Sequence, residues 1–175
     1  MKNRSEYLLK DGRKVLIRQA EEKDINSITE IMSSVASGGR YSPALTISTS
    51  HKEHIAKAIK QRTSFWVVAE LNGLIVGECD LSIGSNIETK PRITELGMNI
   101  RNEFREIGIG NAMMDFLIEQ AKEKGYEKIV LSVLATNSRA INLYKKHGFA
   151  VEGVRKKQFK FKDDYVDEVL MAKFL

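Results

Sequence analysis

The feature that most constrains this chain is a glycine-rich segment, REIGIGN at residues 105–111, which stands between a strand pattern and a long helix pattern. Gly108 and Gly110 allow the backbone to approach a ligand closely. The first turn of the following helix exposes amides without intrahelical partners at the positive end of the helix dipole. The segment therefore predicts an anion site, most simply a pyrophosphate site, although a bare helix start would give the same pattern.

Two nucleotide-binding motifs fit this segment less well. A phosphate-binding loop requires Lys and then Ser or Thr after its last glycine, where this chain has Asn111 and Ala112. The dinucleotide-binding fingerprint requires a third glycine at the position of Met113. The sequence therefore disfavours both motifs.

Hydrophobic periodicity predicts alternating strands and helices along the chain. The predicted strands are 15–20, 65–71, 74–83, 93–100, 129–134, 150–161 and 165–174. The predicted helices are one that Asp24 caps and that ends at residues 37–43, followed by 50–62, 108–124 and 138–147. Asn72-Gly73 is a strong signal for a two-residue hairpin turn between the second and third strands. This order predicts an α/β fold, with a mixed sheet and helices on its faces.

Composition restricts the class of protein. The 175 residues read as one domain over 1–175, since no repeat, low-complexity tract or linker interrupts them. Lysine and arginine number 28 against 23 acidic residues, and the net charge of +5 permits an anionic ligand without demanding nucleic acid. A single cysteine, Cys79, excludes an internal disulfide and fits a reducing compartment. Because the apolar stretches are short and the start lacks a signal-peptide core, we expect a cytoplasmic protein without membrane contact.

A second motif, NSRAINLYKKHGF at residues 137–149, follows the next predicted strand. Together the two segments resemble the GNAT superfamily of acetyl-CoA-dependent N-acetyltransferases. The pyrophosphate motif of that family, Arg/Gln-x-x-Gly-x-Gly/Ala, is matched by Arg105, Gly108 and Gly110. Its second motif, Asn-x-x-Ala-x-x-Leu-Tyr-x-x-x-Gly-Phe, is matched by Asn137, Ala140, Leu143, Tyr144, Gly148 and Phe149. The order of elements is similar over nearly the whole chain.

This resemblance implies a single-domain, GNAT-like α/β fold whose mixed, mostly antiparallel central sheet is flanked by helices on both faces. It also implies acetyl-CoA as cosubstrate. Backbone groups next to the glycine-rich segment would bond the pantetheine arm, and the amides of the segment would hold the pyrophosphate. The implied cofactor-binding residues are Met98, Asn99, Ile100, Arg105, Glu106, Ile107, Gly108, Ile109, Gly110, Asn111, Asn137 and Tyr144.

The resemblance also implies two catalytic residues. Tyr144 would protonate the departing CoA sulfur, and Glu95, in ITELG, would act as base, directly or through water. A base matters because neutralising a lysine-like amine at pH 7 costs about 4.6 kcal/mol, against about 1.4 kcal/mol for an α-amine. The alternatives are a half-buried core aromatic for Tyr144 and a structural edge carboxylate for Glu95. Some ribosomal-protein acetyltransferases of the family carry a glutamate where this chain has Ser132.

Other reactive side chains indicate packing or solvation. His51 and His54 lie three residues apart without a third ligand nearby, so no metal site is expected. Cys79 has no partner base and is expected to pack in the core. The run RKKQFKFK, which begins at Arg155, alternates basic and aromatic residues as a strand would, and this does not favour nucleic-acid binding.

The acceptor amine stays open at this point. A small molecule, a polyamine, an amino acid or a peptide or protein N-terminus would each fit. Arg40 and Tyr41, in the loop-like segment 37–43, are unassigned candidates for acceptor contacts. A homodimer through the C-terminal hairpin is compatible with the sequence. Two other functions also remain, an acyl-CoA-binding sensor without turnover and a basic nucleic-acid-binding module.

Overall fold

Eight strands and four helices form the described residues, which are 3–37, 48–83, 92–161 and 164–175 of a computed structural model. The strands are β1 (Arg4–Leu8), β2 (Lys14–Gln19), β3 (Phe65–Leu71), β4 (Leu74–Ile83), β5 (Ile93–Ile100), β6 (Lys128–Leu134), β7 (Ala150–Phe161) and β8 (Asp164–Phe174). The helices are α1 (Ile25–Ser37), α2 (Thr49–Gln61), α3 (Ile109–Glu123) and α4 (Ser138–Lys146). Short 3₁₀ turns, Glu22–Asp24 and Asn102–Phe104, precede α1 and α3.

The eight strands form one sheet in the order β1-β2-β3-β4-β5-β6-β8-β7. Every neighbouring pair is antiparallel except β5 and β6, which run parallel. The turn between β3 and β4 places both Asn72 (φ 52°) and Gly73 (φ 80°) in the left-handed region, as a type I′ hairpin turn requires. The mixed, mostly antiparallel sheet and this hairpin agree with the sequence predictions.

Helices cover both faces of the sheet and divide the core in two. On one face α3 buries Met113, Phe116 and Leu117, which are fully inaccessible to solvent. On the other face α1 and α2 bury Ile28 and Ile55 in a second cluster. Each such side chain contributes about 1.5–3 kcal/mol when it is fully buried. The predicted placement of helices on both faces is confirmed.

The start of the chain departs from the prediction in two ways. The first strand is β1, at the edge of the sheet, and its five residues have no alternation long enough to predict it. Asp24 does not simply cap a helix, because its carboxylate accepts a hydrogen bond from the Glu21 amide at 2.8 Å and forms a salt bridge with Arg18 at 2.7 Å. Arg18 also reaches Glu70 on β3 at 2.8 Å. This buried ion network fixes the turn before α1 against the sheet.

None of the helices in the described part of the chain is long and apolar enough to cross a membrane.

Candidate active site

A cleft opens in the middle of the sheet, where β5 and β6 diverge. The two strands pair over only three residues of β5, from Ile93 to Glu95. Beyond Glu95 the residues Leu96 and Gly97 of β5, and Val133 and Leu134 of β6, face a cavity of about 880 Å³ instead of each other. That volume lies in the range of sites that bind drug-sized ligands. The backbone groups of β5 that would have paired with β6 are therefore available to a ligand.

The glycine-rich turn forms one end of this cavity. Gly108 precedes the first residue of α3 with φ 110°, and Glu106 also has a left-handed φ of 68°. The turn between β1 and β2 supports this loop, because the Lys10 amide donates to the Ile107 carbonyl at 3.0 Å and Lys10 Nζ donates to the Glu106 carbonyl at 3.3 Å. Gly108 and Gly110 line the cavity. The first amides of α3 have no intrahelical acceptor, so this end suits an anion.

Four basic side chains surround the same end of the cavity: Lys10, Arg105, Arg139 and Lys146. Arg105 Nε donates to the Ile100 carbonyl at 3.2 Å, which ties the glycine-rich segment to the end of β5. Lys146 Nζ donates to Asn111 Oδ1 at 2.8 Å. Cationic side chains and helix amides thus converge on one region, as recognition of several phosphates requires.

Helix α4 brings Tyr144 into the cleft. The helix begins at Asn137, whose side chain accepts a hydrogen bond from the Ala140 amide at 3.1 Å, and it ends before Gly148, which has φ 83°. The Tyr144 ring is buried against Phe149, with the ring centroids 5.9 Å apart, and it also lines the cavity. No described residue accepts a hydrogen bond from its hydroxyl. Burial raises the pKa of Tyr144 to about 12, so the phenol stays protonated at neutral pH.

Two acidic side chains lie at the cavity or close to it. Glu168, on β8, is buried, lines the cavity and forms a salt bridge with the exposed Arg155 at 2.8 Å. Across the cleft Asn99 Nδ2 donates to Glu78 Oε1 at 2.6 Å. Burial raises the pKa of Glu78 to about 8, and the neighbouring Asp80 contributes to this shift. The carboxylate on the cavity wall is therefore that of Glu168, whereas Glu78 lies buried behind Asn99.

A family model described as the acetyltransferase (GNAT) domain matches residues 17–170, most of the chain. The chain belongs to the GNAT acetyltransferase family. The predicted superfamily, fold class and acyltransferase activity are therefore confirmed, and acetyl-CoA is the cosubstrate that this assignment supports.

Named GNAT relatives extend this comparison. The chain is 27% identical to L-amino acid N-acetyltransferase AaaT of Escherichia coli over 164 residues, which cover 91% of this chain and 97% of that protein. It is 30% identical to an N-alpha-acetyltransferase of Sulfurisphaera tokodaii over 148 residues, which cover 80% and 83%. In structure it resembles a GNAT phosphinothricin acetyltransferase from Sinorhizobium meliloti, solved in complex with acetyl-CoA. That match has a TM-score of 0.83 at 22% identity and covers 92% of this chain and 88% of the other.

In the structure of this chain, most of the predicted site residues lie around one cavity. Those that line it are Met98, Asn99, Ile100, Arg105, Glu106, Gly108, Gly110, Asn111, Asn137 and Tyr144. Ile109 instead points into the core, and Ile107 contributes the carbonyl that Lys10 contacts. Glu95 is exposed and stands outside the cavity wall, on the same face of the sheet as Asp80.

Further residues of the GNAT site were not predicted from the sequence. Lys10 and Glu168 reach the cavity from distant parts of the chain, and only the folded sheet brings them there. The pairing of β4 with β5 places Asp80 beside the cleft. Arg40 and Tyr41 lie outside the described residues.

The side chains that were predicted to have no chemical role are either exposed to solvent or buried in the core. His54 is exposed on α2, and Cys79, on β4, is fully buried in the core cluster that α3 covers. Within the described ranges, no three His, Cys, Asp or Glu side chains are grouped as metal ligands.

Proposed function

We propose that this protein acetylates a primary amine that is a cation in solution, using acetyl-CoA and direct attack within a ternary complex. One observation carries the proposal: a single cavity is lined by the amide-rich turn at Gly108, by Tyr144 and by Glu168. Phosphates favour the turn, and an ammonium group favours Glu168. Tyr144 faces the same cavity, in which the acetyl group would change partners.

The cationic end fits the cosubstrate. The amides of Gly108, Gly110 and Asn111 would hold the pyrophosphate, and the unpaired edge of β5 from Met98 to Ile100 would bond the pantetheine arm. Lys10 and the other basic side chains would add attraction for phosphate charge. Asn137 would contact the cosubstrate from the start of α4. An extended arm laid along β5 would satisfy backbone groups that β6 leaves unpaired beyond Glu95.

Tyr144 would act as the general acid. Its hydroxyl would give a proton to the sulfur as the carbon–sulfur bond breaks, and the resulting phenolate, a strong base in this buried position, would recover a proton at once. Burial supports this role because it keeps the phenol protonated over the range in which enzymes are assayed. The sequence predicted Glu95 as the base, directly or through water; this residue is exposed on β5 and lies outside the cavity wall, so its role stays a prediction.

The acceptor would bind beside Glu168. Glu168 would attract an ammonium group, and Arg155 beside it would suit an acceptor that also carries a carboxylate. By name, one relative acts on L-amino acids and another on N-terminal α-amines, and α-amines are inexpensive to neutralise. Amino acids, N-terminal peptides, polyamines and other small amines are therefore the acceptors to test first.

An amine panel with thiol detection tests the proposal. Wild-type protein is mixed with acetyl-CoA and each amine, and release of the free CoA thiol is followed. Sustained turnover with at least one cationic amine is expected. Saturable binding of acetyl-CoA without thiol release for any amine would instead indicate an acyl-CoA sensor. Binding of DNA or RNA probes that weakens as salt rises would support the basic nucleic-acid module.

A further inference from the structure

Asp80 is a partly buried carboxylate in the middle of β4 to which the sequence assigned no role. Its direct partner on β5 is Gly97, one of the first β5 residues beyond the point where β6 diverges. Paired residues of neighbouring strands present their side chains on the same face. The Asp80 carboxylate therefore lies on the face of the sheet that α1 covers, next to the edge of the cleft.

Glycine at position 97 makes this placement possible. A Cβ built on Gly97 would stand 2.7 Å from Asp80 Oδ1, closer than any real contact of this kind. The carboxylate thus extends across β5 into the space that a side chain at position 97 would fill. Gly97 itself lines the cavity, so no β5 side chain at this level separates Asp80 from the cleft.

The other carboxylates on this face are placed differently. Glu78 is fully buried and separated from the cleft by Asn99, which donates a hydrogen bond to it. Glu95 is exposed, pairs with β6 through its backbone and lies outside the cavity wall. Among the described residues, none donates a hydrogen bond to Asp80. Asp80 does not itself line the cavity, but its carboxylate lies against Gly97, which does, and its oxygens are uncommitted.

We infer that Asp80 is the proton acceptor for the amine substrate, and that the glycine at position 97 gives the Asp80 carboxylate access to the cleft. This inference rests on the proposed function and deepens it. Asp80 takes a proton from the substrate ammonium group, which frees the nitrogen lone pair. The lone pair forms the new carbon–nitrogen bond while the carbon–sulfur bond breaks. The amine loses two protons in all: one leaves through Asp80, and the other replaces the proton that Tyr144 gives to sulfur.

The electrostatic surroundings fit a group that exchanges protons near neutral pH. Burial raises the pKa of Asp80 to about 7, and the charge of Glu95 adds to this. From β4 and β5 the titratable groups on this face are Glu78 and Glu95, and from β3 the residue opposite Asp80 is the uncharged Trp66. Helix α1 carries one charged residue, Glu30, which pairs with Arg101 at 2.8 Å. The described residues of β3, β4, β5 and α1 thus include no cation that neutralises Asp80. The exposed Glu95 offers a proton bound to Asp80 a route to water.

Asp80→Asn tests the inference with an amine that the wild-type protein acetylates. The kcat/KM of the variant is expected to fall about 100-fold, and the acidic limb of the wild-type pH profile, centred near neutral pH, should disappear. The loss should shrink for weakly basic amines that are already neutral at the assay pH, because they need no base. A purely structural role would lower the rates of all amines equally.

Two companion variants sharpen the test. Gly97→Ala should reproduce the Asp80→Asn phenotype by displacing the carboxylate, which covers the case in which Asp80→Asn folds poorly. Glu95→Gln should keep the acidic limb. The inference is overturned if Asp80→Asn retains the acidic limb and its rate loss is the same for weakly and strongly basic amines. It is also overturned if Glu95→Gln, rather than Asp80→Asn, loses the acidic limb. A wild-type protein that acetylates no amine overturns the proposed function as well.

Discussion

Asn99 Nδ2 on β5 donates a hydrogen bond of 2.6 Å to Oε1 of Glu78 on β4, and the Glu78 side chain is fully buried. The bond joins a cavity-lining side chain to a carboxylate without contact with solvent. It persists whether Glu78 is charged or neutral, since a protonated carboxyl still accepts through its carbonyl oxygen. The protonation state of Glu78 therefore affects stability more than geometry.

Glu78→Gln should change how stability depends on pH. Burial raises the pKa of Glu78 from 4.5 to about 8, so this group favours the folded state fully below pH 4.5 and loses that contribution as pH rises through 8. Glutamine keeps the acceptor for Asn99 and does not titrate. The free energy of unfolding of the variant should therefore rise relative to wild type between pH 5 and about pH 9, measured by urea denaturation. Glu53→Gln, on the exposed face of α2, is the control and should show no such trend.

Tyr144→Phe should lower kcat while leaving cosubstrate binding nearly intact. The phenylalanine preserves the packing against Phe149 and removes only the proton donor, so kcat is expected to fall by about 100-fold. The acetyl-CoA Kd, measured by calorimetry, should stay close to the wild-type value. Tyr165→Phe, at an exposed position on β8, is the matched control and should keep full activity. Equal kcat for Tyr144→Phe and wild type across pH would remove Tyr144 as the acid.

Gly110→Ala should weaken acetyl-CoA binding. An added Cβ would stand 3.0 Å from Leu143 Cδ2, where α3 and α4 meet beside the cavity. The family motif accepts alanine at this position, but in this chain the Leu143 side chain or one of the two helices must give by a few tenths of an ångström, which disturbs the amides around Gly108. A loss of about tenfold in affinity is expected, which corresponds to modest overpacking. Gly153→Ala on β7 meets only ordinary contact, at 3.9 Å from Leu170, and should bind acetyl-CoA as wild type does.

Arg18→Leu should destabilise the fold far more than Arg13→Leu. Arg18 pairs with the buried Asp24 at 2.7 Å, and its removal leaves that carboxylate without a countercharge. Breaking a buried ion pair from one side costs about 3 kcal/mol or more, which urea denaturation would measure. Arg13 forms a solvent-exposed pair with Asp11 at 2.6 Å, and its loss should leave the denaturation midpoint unchanged. Equal effects of the two substitutions would contradict this ranking.

The fold was predictable wherever local patterns matched the final contacts. Asn72-Gly73 lies between two apolar runs, and the bounds of β3 and β4 follow from it. Glycines also marked the ends of α3 and α4 to within one or two residues. β1 was missed because its five residues form a mostly exposed edge strand, whose order depends on pairing with β2 rather than on its own composition.

The site was predictable where motifs carry backbone geometry, and less so where the sheet brings distant residues together. Gly108 and Tyr144 follow from sequence spacing. Glu168 lies on β8, and its place at the cavity depends on the register between Leu134 and Glu168. Asp80 interrupts a largely apolar strand, where a charged residue is usually read as facing solvent. The direction of the Asp80 carboxylate becomes clear only in the structure, where it occupies the space beside Gly97.

Because β5 pairs with β6 over only three residues, the rates of amide hydrogen exchange should differ from the usual pattern in a sheet. In most sheets the slowest hydrogen exchange is found at the centre, and the edges fray. Here a central strand has a free side from Leu96 onward, so its cleft-facing amides should exchange quickly although their neighbours are buried. A ligand laid along β5 would then act as a removable strand. Occupancy of the cleft would be visible as slowed exchange in the middle of the sheet, before any chemistry takes place.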